Sequence, residues 1–89
     1  MQGIGKRFVY VLRSEVDRSR HYVGVTSDVD ERLHWHNNGP SGQTLMHRPW
    51  FVVVCVEFLD EPTAICFEQY LKSGSGRAFA KRHLVPINA

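Results

Sequence analysis

The chain has 89 residues, 43% hydrophobic and 22% charged, with a formal net charge of +2. That length suits one domain, read as 1–89 with a core of about 7–85. No apolar run approaches the ~20 residues of a membrane span, and Met1–Arg7 lacks the apolar region of a secretory signal, so a cytoplasmic protein with a frayed Met1–Gly5 is expected. The mild net charge does not by itself point to nucleic acid.

In chain order, Arg7–Arg13 is β-branched and aromatic and predicts a strand. Ser14–His21 is polar and turn-like, and Tyr22–Thr26 predicts a second strand, closing an antiparallel hairpin with a loop of about eight residues. Gly24 inside that strand signals a bulge or a close approach.

Asp28–Asn38 predicts a short helix with Ser27 as N-cap, acidic residues in its first turn and Gly39 just past its end. Val29, Leu33 and His36 form its buried face. Arg32 and His36, four apart, fall at one margin of that face, where they can reach into a cleft and meet an anion.

Gly39–Gln43 is a breaker cluster, and loop continues to Pro49. Trp50–Phe58 is apolar almost throughout and predicts a central strand covered on both faces. Asp60-Glu61-Pro62 opens a second helix running to Lys72, with Ala64, Phe67 and Leu71 buried. Ser73–Gly76 reads as a break, followed by a basic helix over Arg77–Leu84 that Pro86 ends. The order is β-β-α-β-α-α. The fold class is α+β, a small three-stranded antiparallel sheet flanked by helices.

Several polar residues sit where a bland core does not need them. Glu68 interrupts the buried stripe of the second helix. A carboxylate there is ion-paired, snorkelling, or a divalent-metal ligand. One carboxylate suits Mg²⁺, which keeps waters and borrows ligands from phosphate. Tyr10 and Tyr22 on adjacent strands are either a packing pair or phenols available for hydrogen bonding and proton transfer. His36 is either a hydrogen-bonded core histidine or a participant beside Arg32. His34 and His36 do not share a face, so a zinc pair is disfavoured. Trp35, Trp50 and Tyr70 read as packing or surface aromatics. Cys55 and Cys66 lie in apolar runs and read as buried thiols without a disulfide. From Lys72 to Ala89 there are Lys72, Arg77, Lys81 and Arg82 and no acid, and Arg13, Arg18 and Arg20 flank the first loop. These are a solvated basic face or a phosphate-binding one.

Tyr10, Tyr22, Arg32, His36 and Glu68, in that order, make the chain strongly resemble the GIY-YIG nuclease superfamily. It looks most like the small stand-alone bacterial members, related to the N-terminal catalytic domain of the bacterial excinuclease. Phe8-Val9-Tyr10 stands at the first motif and Tyr22-Val23-Gly24 at the second. His47-Arg48-Pro49-Trp50 and Phe67 through Gly74 match later blocks. Val25, Thr26 and Ser27 stand where larger relatives carry a basic residue, and Ala80 near where some carry an asparagine.

The resemblance implies metal-dependent hydrolysis of phosphodiester bonds in DNA, with Mg²⁺ or Mn²⁺ held by Glu68. Arg32 would neutralise the phosphate, Tyr10 or Tyr22 would activate water, and His36 would assist by hydrogen bonding. Arg13, Lys72, Arg77, Lys81 and Arg82 are the expected nucleic-acid contacts. DNA is the expected partner, RNA is left open, and homodimerisation is left open. The rival reading is a non-catalytic nucleic-acid-binding module on the same fold. A third is a structural domain whose polar residues form an internal network.

Overall fold

Strand β1 (Arg7–Ser14) is the middle of the sheet, with β2 (His21–Thr26) and β3 (Trp50–Phe58) antiparallel on either side of it. A computed structural model describes residues 5–40 and 44–85 of the chain. Helix α1 (Val29–Asn38) follows the hairpin, and α2 (Glu61–Leu71) and α3 (Gly74–His83) follow β3, giving the β-β-α-β-α-α order expected. The predictions for Met1–Ile4, Ser41–Gln43 and Pro86 lie outside the described residues.

The middle strand is buried from Val9 to Ser14, and its alternation divides the interior into two cores. Val9 and Val11 pack with Ala64 and Leu71 of α2, joined by Phe79 and Ala80 of α3. Tyr10 and Leu12 point the other way, to Trp50 and to Val29 and Leu33 of α1. At the strand's end, the Ser14 hydroxyl donates to the His47 carbonyl (2.6 Å) and accepts from the Val16 and Asp17 amides. One serine thus fixes both the hairpin loop and the short 3-10 turn Leu45–His47.

β3 is an edge strand, which corrects its expected central place. The long apolar run has another cause. In the pairing with β1, Val11 faces Val54 and Leu12 faces Val52, which leaves Val53 as a bulge. The bulge sends Val53 and Val54 to the α2–α3 core while Val52 serves the α1 core. Consecutive residues are therefore all apolar without a second neighbouring strand.

Helix ends depart from expectation by small amounts. Asp28, not Ser27, caps α1, its carboxylate accepting from the Glu31 amide (3.0 Å) where the helix dipole favours negative charge. Gly39 is extended rather than left-handed. Ser73–Gly76 does not break the chain into loop but starts α3. Ser73 accepts from the Gly76 amide (3.1 Å) and donates to the Tyr70 carbonyl (2.6 Å), so α2 and α3 abut. Gly76 is needed there, because any Cβ would collide with the Tyr70 carbonyl. Cys55 and Cys66 are free but exposed, not buried, since one lies on the edge strand and the other outside the Ala64–Leu71 stripe. Among the described residues no helix is long and apolar enough to cross a membrane.

Candidate active site

Five side chains from four elements meet or act on one another beside the β2 edge of the sheet. Tyr10 sits on the middle strand directly across from Gly24 of β2. A Cβ at Gly24 would lie 2.6 Å from the ring carbon that bears the hydroxyl. Gly24 is thus the gap through which Tyr10 crosses β2, which is the close approach its place in a strand predicted. The phenol then meets His36 of α1, with oxygen to Nε2 at 3.0 Å. Tyr22 of β2 packs edge-on against the same imidazole at 4.7 Å between ring centres and stands 6.4 Å from the Tyr10 ring.

His36 is 1% exposed and lies within the α1 face, not at its margin. Its other nitrogen, Nδ1, is 3.1 Å from the hydroxyl of Thr44. Burial and the charges of Arg32 and Arg48 push its pKa below the ordinary range, so the ring is neutral near pH 7. Tyr10 is pushed far above the ordinary phenol range, first by burial and then by Tyr22 and Glu68, with Arg32 acting against them. A neutral imidazole offers one acceptor and one donor nitrogen. The phenol, the stronger acid of the two hydroxyls, takes the acceptor. The relay therefore runs from Tyr10 O–H to His36 Nε2, and from His36 Nδ1–H to Thr44 Oγ1.

Arg32 is half-buried on α1, its guanidinium 5.1 Å from the Trp35 ring centre. Glu68 comes from α2 with 14% of its side chain exposed, and its carboxylate pairs with Lys72 one turn on. Arg32 and Glu68 both act on the Tyr10 phenol, with opposite sign. A cation from one helix and an anion from another thus bear on the same hydroxyl.

The sequence reading gave no role to the residues that hold this cluster. Thr44 is 1% exposed and binds His36, while its carbonyl accepts from the Trp50 indole (2.8 Å). Arg48 donates from Nε to the His36 carbonyl (2.6 Å) and from its terminal nitrogen to the Gly39 carbonyl. It thereby satisfies two carbonyls of the C-terminal turn of α1 with a cation at its negative end. Asn37 brackets the Trp50 backbone, donating to its carbonyl (2.9 Å) and accepting from its amide (2.6 Å). The available signal was polar residues crowded between a short helix and an apolar strand, where loop carbonyls need donors.

A second feature opens on the α2–α3 side. A groove of about 1050 Å³ is lined by Arg13, Arg18, Arg20, Lys72, Arg77 and Lys81 and by no carboxylate. Tyr22 lines it too, and Lys72 joins it to Glu68. Of the expected nucleic-acid contacts, Arg82 falls outside this lining and is exposed.

No curated protein matches the chain. Among solved structures it is similar to a UPF0213 protein of Bacillus halodurans, determined by NMR in solution. The two share 27% identity at a TM-score of 0.52, over 86% of this chain and 81% of the other. The family model described as the GIY-YIG catalytic domain matches residues 6–82. That span runs from the start of β1 to the last turn of α3 and includes both tyrosines, Arg32, His36 and Glu68, so the chain belongs to the GIY-YIG catalytic-domain family.

Proposed function

We propose that this chain is a divalent-metal-dependent endonuclease that hydrolyses phosphodiester bonds in DNA. The observation that carries the reading is the Tyr10–His36 hydrogen bond, on whose phenol Arg32 and Glu68 act with opposite sign. A structural network closes on itself. This one ends on a hydroxyl that feels the charge of Arg32 and the opposite charge of Glu68, which Lys72 pairs, an arrangement suited to a phosphate and a cation.

The chemistry of the donors favours one kind of metal. Among the described residues no three of His, Cys, Asp or Glu converge, so there is no preformed cage. Glu68 alone fits Mg²⁺ or Mn²⁺, ions that keep several waters and take further oxygens from substrate phosphate. When bound, the ion supplies charge stabilisation at the leaving oxygen. Arg32 offers its planar fork to the phosphate oxygens. Tyr10 and Tyr22 orient the attacking water, and Tyr10 takes its proton as it passes its own to His36 Nε2. His36 fixes the Tyr10 hydroxyl and can take its proton through Nε2.

The rival, a binding module without catalysis, draws on the basic groove. It leaves Glu68 only the role of partner to Lys72, and a carboxylate near phosphate then weakens the binding such a module exists for. The test is nicking of supercoiled plasmid with Mg²⁺ or Mn²⁺, beside Glu68→Ala, Arg32→Ala and an EDTA control. Cleavage is expected from the wild-type protein only, at least ~100-fold above either variant. Equal cleavage by the variants would remove these residues from the site, and no cleavage of any DNA structure would favour the binding module.

A further inference from the structure

We propose that Arg13 is the buried anchor of a second phosphate subsite, which grips the nucleic-acid strand outside the scissile position. The inference rests on the nuclease reading only for the identity of the ligand. The geometry stands by itself.

Arg13 is 3% exposed, yet its Nε is enclosed without any hydrogen-bond partner. Among the described residues no carboxylate pairs with it. Buried arginines are ordinarily paired, because an unpaired charge out of water is costly. What holds this one is an aromatic neighbour. Its guanidinium lies 5.1 Å from the Phe51 ring centre, with His21 across from it on β2. The side chain is therefore already oriented before any ligand arrives, and it lines the basic groove. An oriented guanidinium whose Nε lacks an acceptor, and which borders a basic groove, fits a phosphodiester.

The surroundings point the same way. Arg20 and Lys72 are paired, with Asp17 and Glu68. Arg18, Arg77 and Lys81 have no carboxylate partner among the described residues, and all three line the groove. Arg13 lies three residues after Tyr10 on β1, about 10 Å along a strand. That is a few phosphates along a nucleic-acid strand, whose axial spacing is about 3.4 Å in B-form. Tyr10 and Arg13 face opposite cores, so a strand touching both passes the β2 edge. Tyr22 stands there, packing on His36 and lining the groove.

The test is equilibrium binding of a fluorescent oligonucleotide in EDTA, as single strand and as duplex, across a salt titration. The proteins are wild type, Arg13→Gln, Arg13→Lys and Lys81→Gln. Arg13→Gln is expected to lower the slope of log K against log salt by roughly one phosphate contact, about 0.7 to 0.9. It should weaken binding about tenfold or more near physiological salt, beyond the loss in Lys81→Gln, whose cation is exposed. Arg13→Lys keeps the charge without the fork, so it should keep the slope and lose part of the affinity, provided thermal melts show it folded. It also serves as the readout if Arg13→Gln does not fold. In cleavage, Arg13→Gln should raise KM far more than it lowers kcat. An unchanged slope and affinity in folded Arg13→Gln or Arg13→Lys, with wild type binding steeply, would overturn the subsite and leave the nuclease reading intact. Salt-insensitive binding by wild type would overturn both.

Discussion

Replacing Gly24 with alanine should destabilise the protein, although adding a Cβ in a strand usually helps. The ordinary gain from Gly to Ala in a strand is about 0.5–1 kcal/mol. Here the new methyl would sit 2.6 Å and 2.9 Å from two ring carbons of Tyr10, and closer still to its hydroxyl. Contact at normal van der Waals distance requires the ring to retreat by about 1 Å. Tyr10 is 3% exposed and ends on His36 at 3.0 Å, so that retreat also breaks the hydrogen bond. Overpacking costs about 1–3 kcal/mol, and the lost bond with His36 left unsatisfied about 1 kcal/mol more. After the backbone gain is subtracted, a net loss of about 1.5–3 kcal/mol is expected. Urea denaturation measures it, and the melting temperature should fall by about 4–8 °C per kcal/mol in a domain of this size. The decisive comparison is a double-mutant cycle with Tyr10→Leu, which removes the ring. In that background Gly24→Ala should be neutral or stabilising. A stabilised single variant, or equal cost in both backgrounds, would refute the crossing of Tyr10 over Gly24 as the reason for the glycine.

Tyr10→Phe should cost about 1–3 kcal/mol by leaving a buried imidazole nitrogen unpaired, and lower kcat by ~100-fold or more. Thr44→Val strips the partner from His36 Nδ1, so imidazole ¹⁵N shifts should report a changed tautomer balance and kcat should fall, with Thr44→Ser restoring both. In acid, His36 and His21 both have depressed folded pKa values, so the unfolded chain takes up protons first. The stability they confer is complete above the unfolded value of 6.5 and is lost as pH falls below it, a loss that His36→Gln should reduce in melts at about pH 5. In alkali the sign reverses for Tyr10, whose raised folded pKa confers stability that is complete below 10.0 and declines above it, a decline that Tyr10→Phe should lessen. Lys72→Met should tighten Mn²⁺ binding, read by electron paramagnetic resonance, but only a few-fold, because the lysine is 55% exposed and its pair with Glu68 is screened.

What could be read from the sequence is what depends on local composition, helical spacing and side-chain chemistry. Two β-branched and aromatic runs around a polar turn gave the hairpin, the apolar run gave β3, and the Asp60–Pro62 start gave α2 within a residue. The position of β3 was not legible, because a continuous apolar run describes a central strand and a bulged edge strand equally well. Val53 decides between them, and its bulge exists only in pairing with β1. Ser73–Gly76 carried two glycines and two serines, the composition of a break. The same residues cap a helix and let it pack against the preceding one, so composition alone could not choose. At the site, Tyr10, Tyr22, Arg32, His36 and Glu68 were individually visible as polar residues out of place. Thr44 and Arg48 were not, since a threonine and an arginine in a loop look like solvent contacts until the fold buries one and turns the other onto α1. Arg13 was legible as a positive charge but not as an enclosed one.

The polar interior itself argues about purpose. Ser14, His36 and Thr44 are among the most completely enclosed side chains, alongside Leu12 and Val9. Ser14 serves the fold, because its three bonds tie the hairpin loop to the 3-10 turn, and all of them end on backbone. His36 and Thr44 do something else. Their side chains bond to each other and to Tyr10, and no backbone group depends on them for a hydrogen bond. Apolar residues of similar volume would fill that space with less desolvation cost. Arg48 and Asn37 meanwhile hold the same turn of α1 through backbone groups, so the helix does not need the imidazole for its position. A buried polar pair that anchors no backbone is most simply an orienting device. What it orients is a single hydroxyl, held in a sheet gap that only glycine leaves open, within the fields of Arg32 and Glu68.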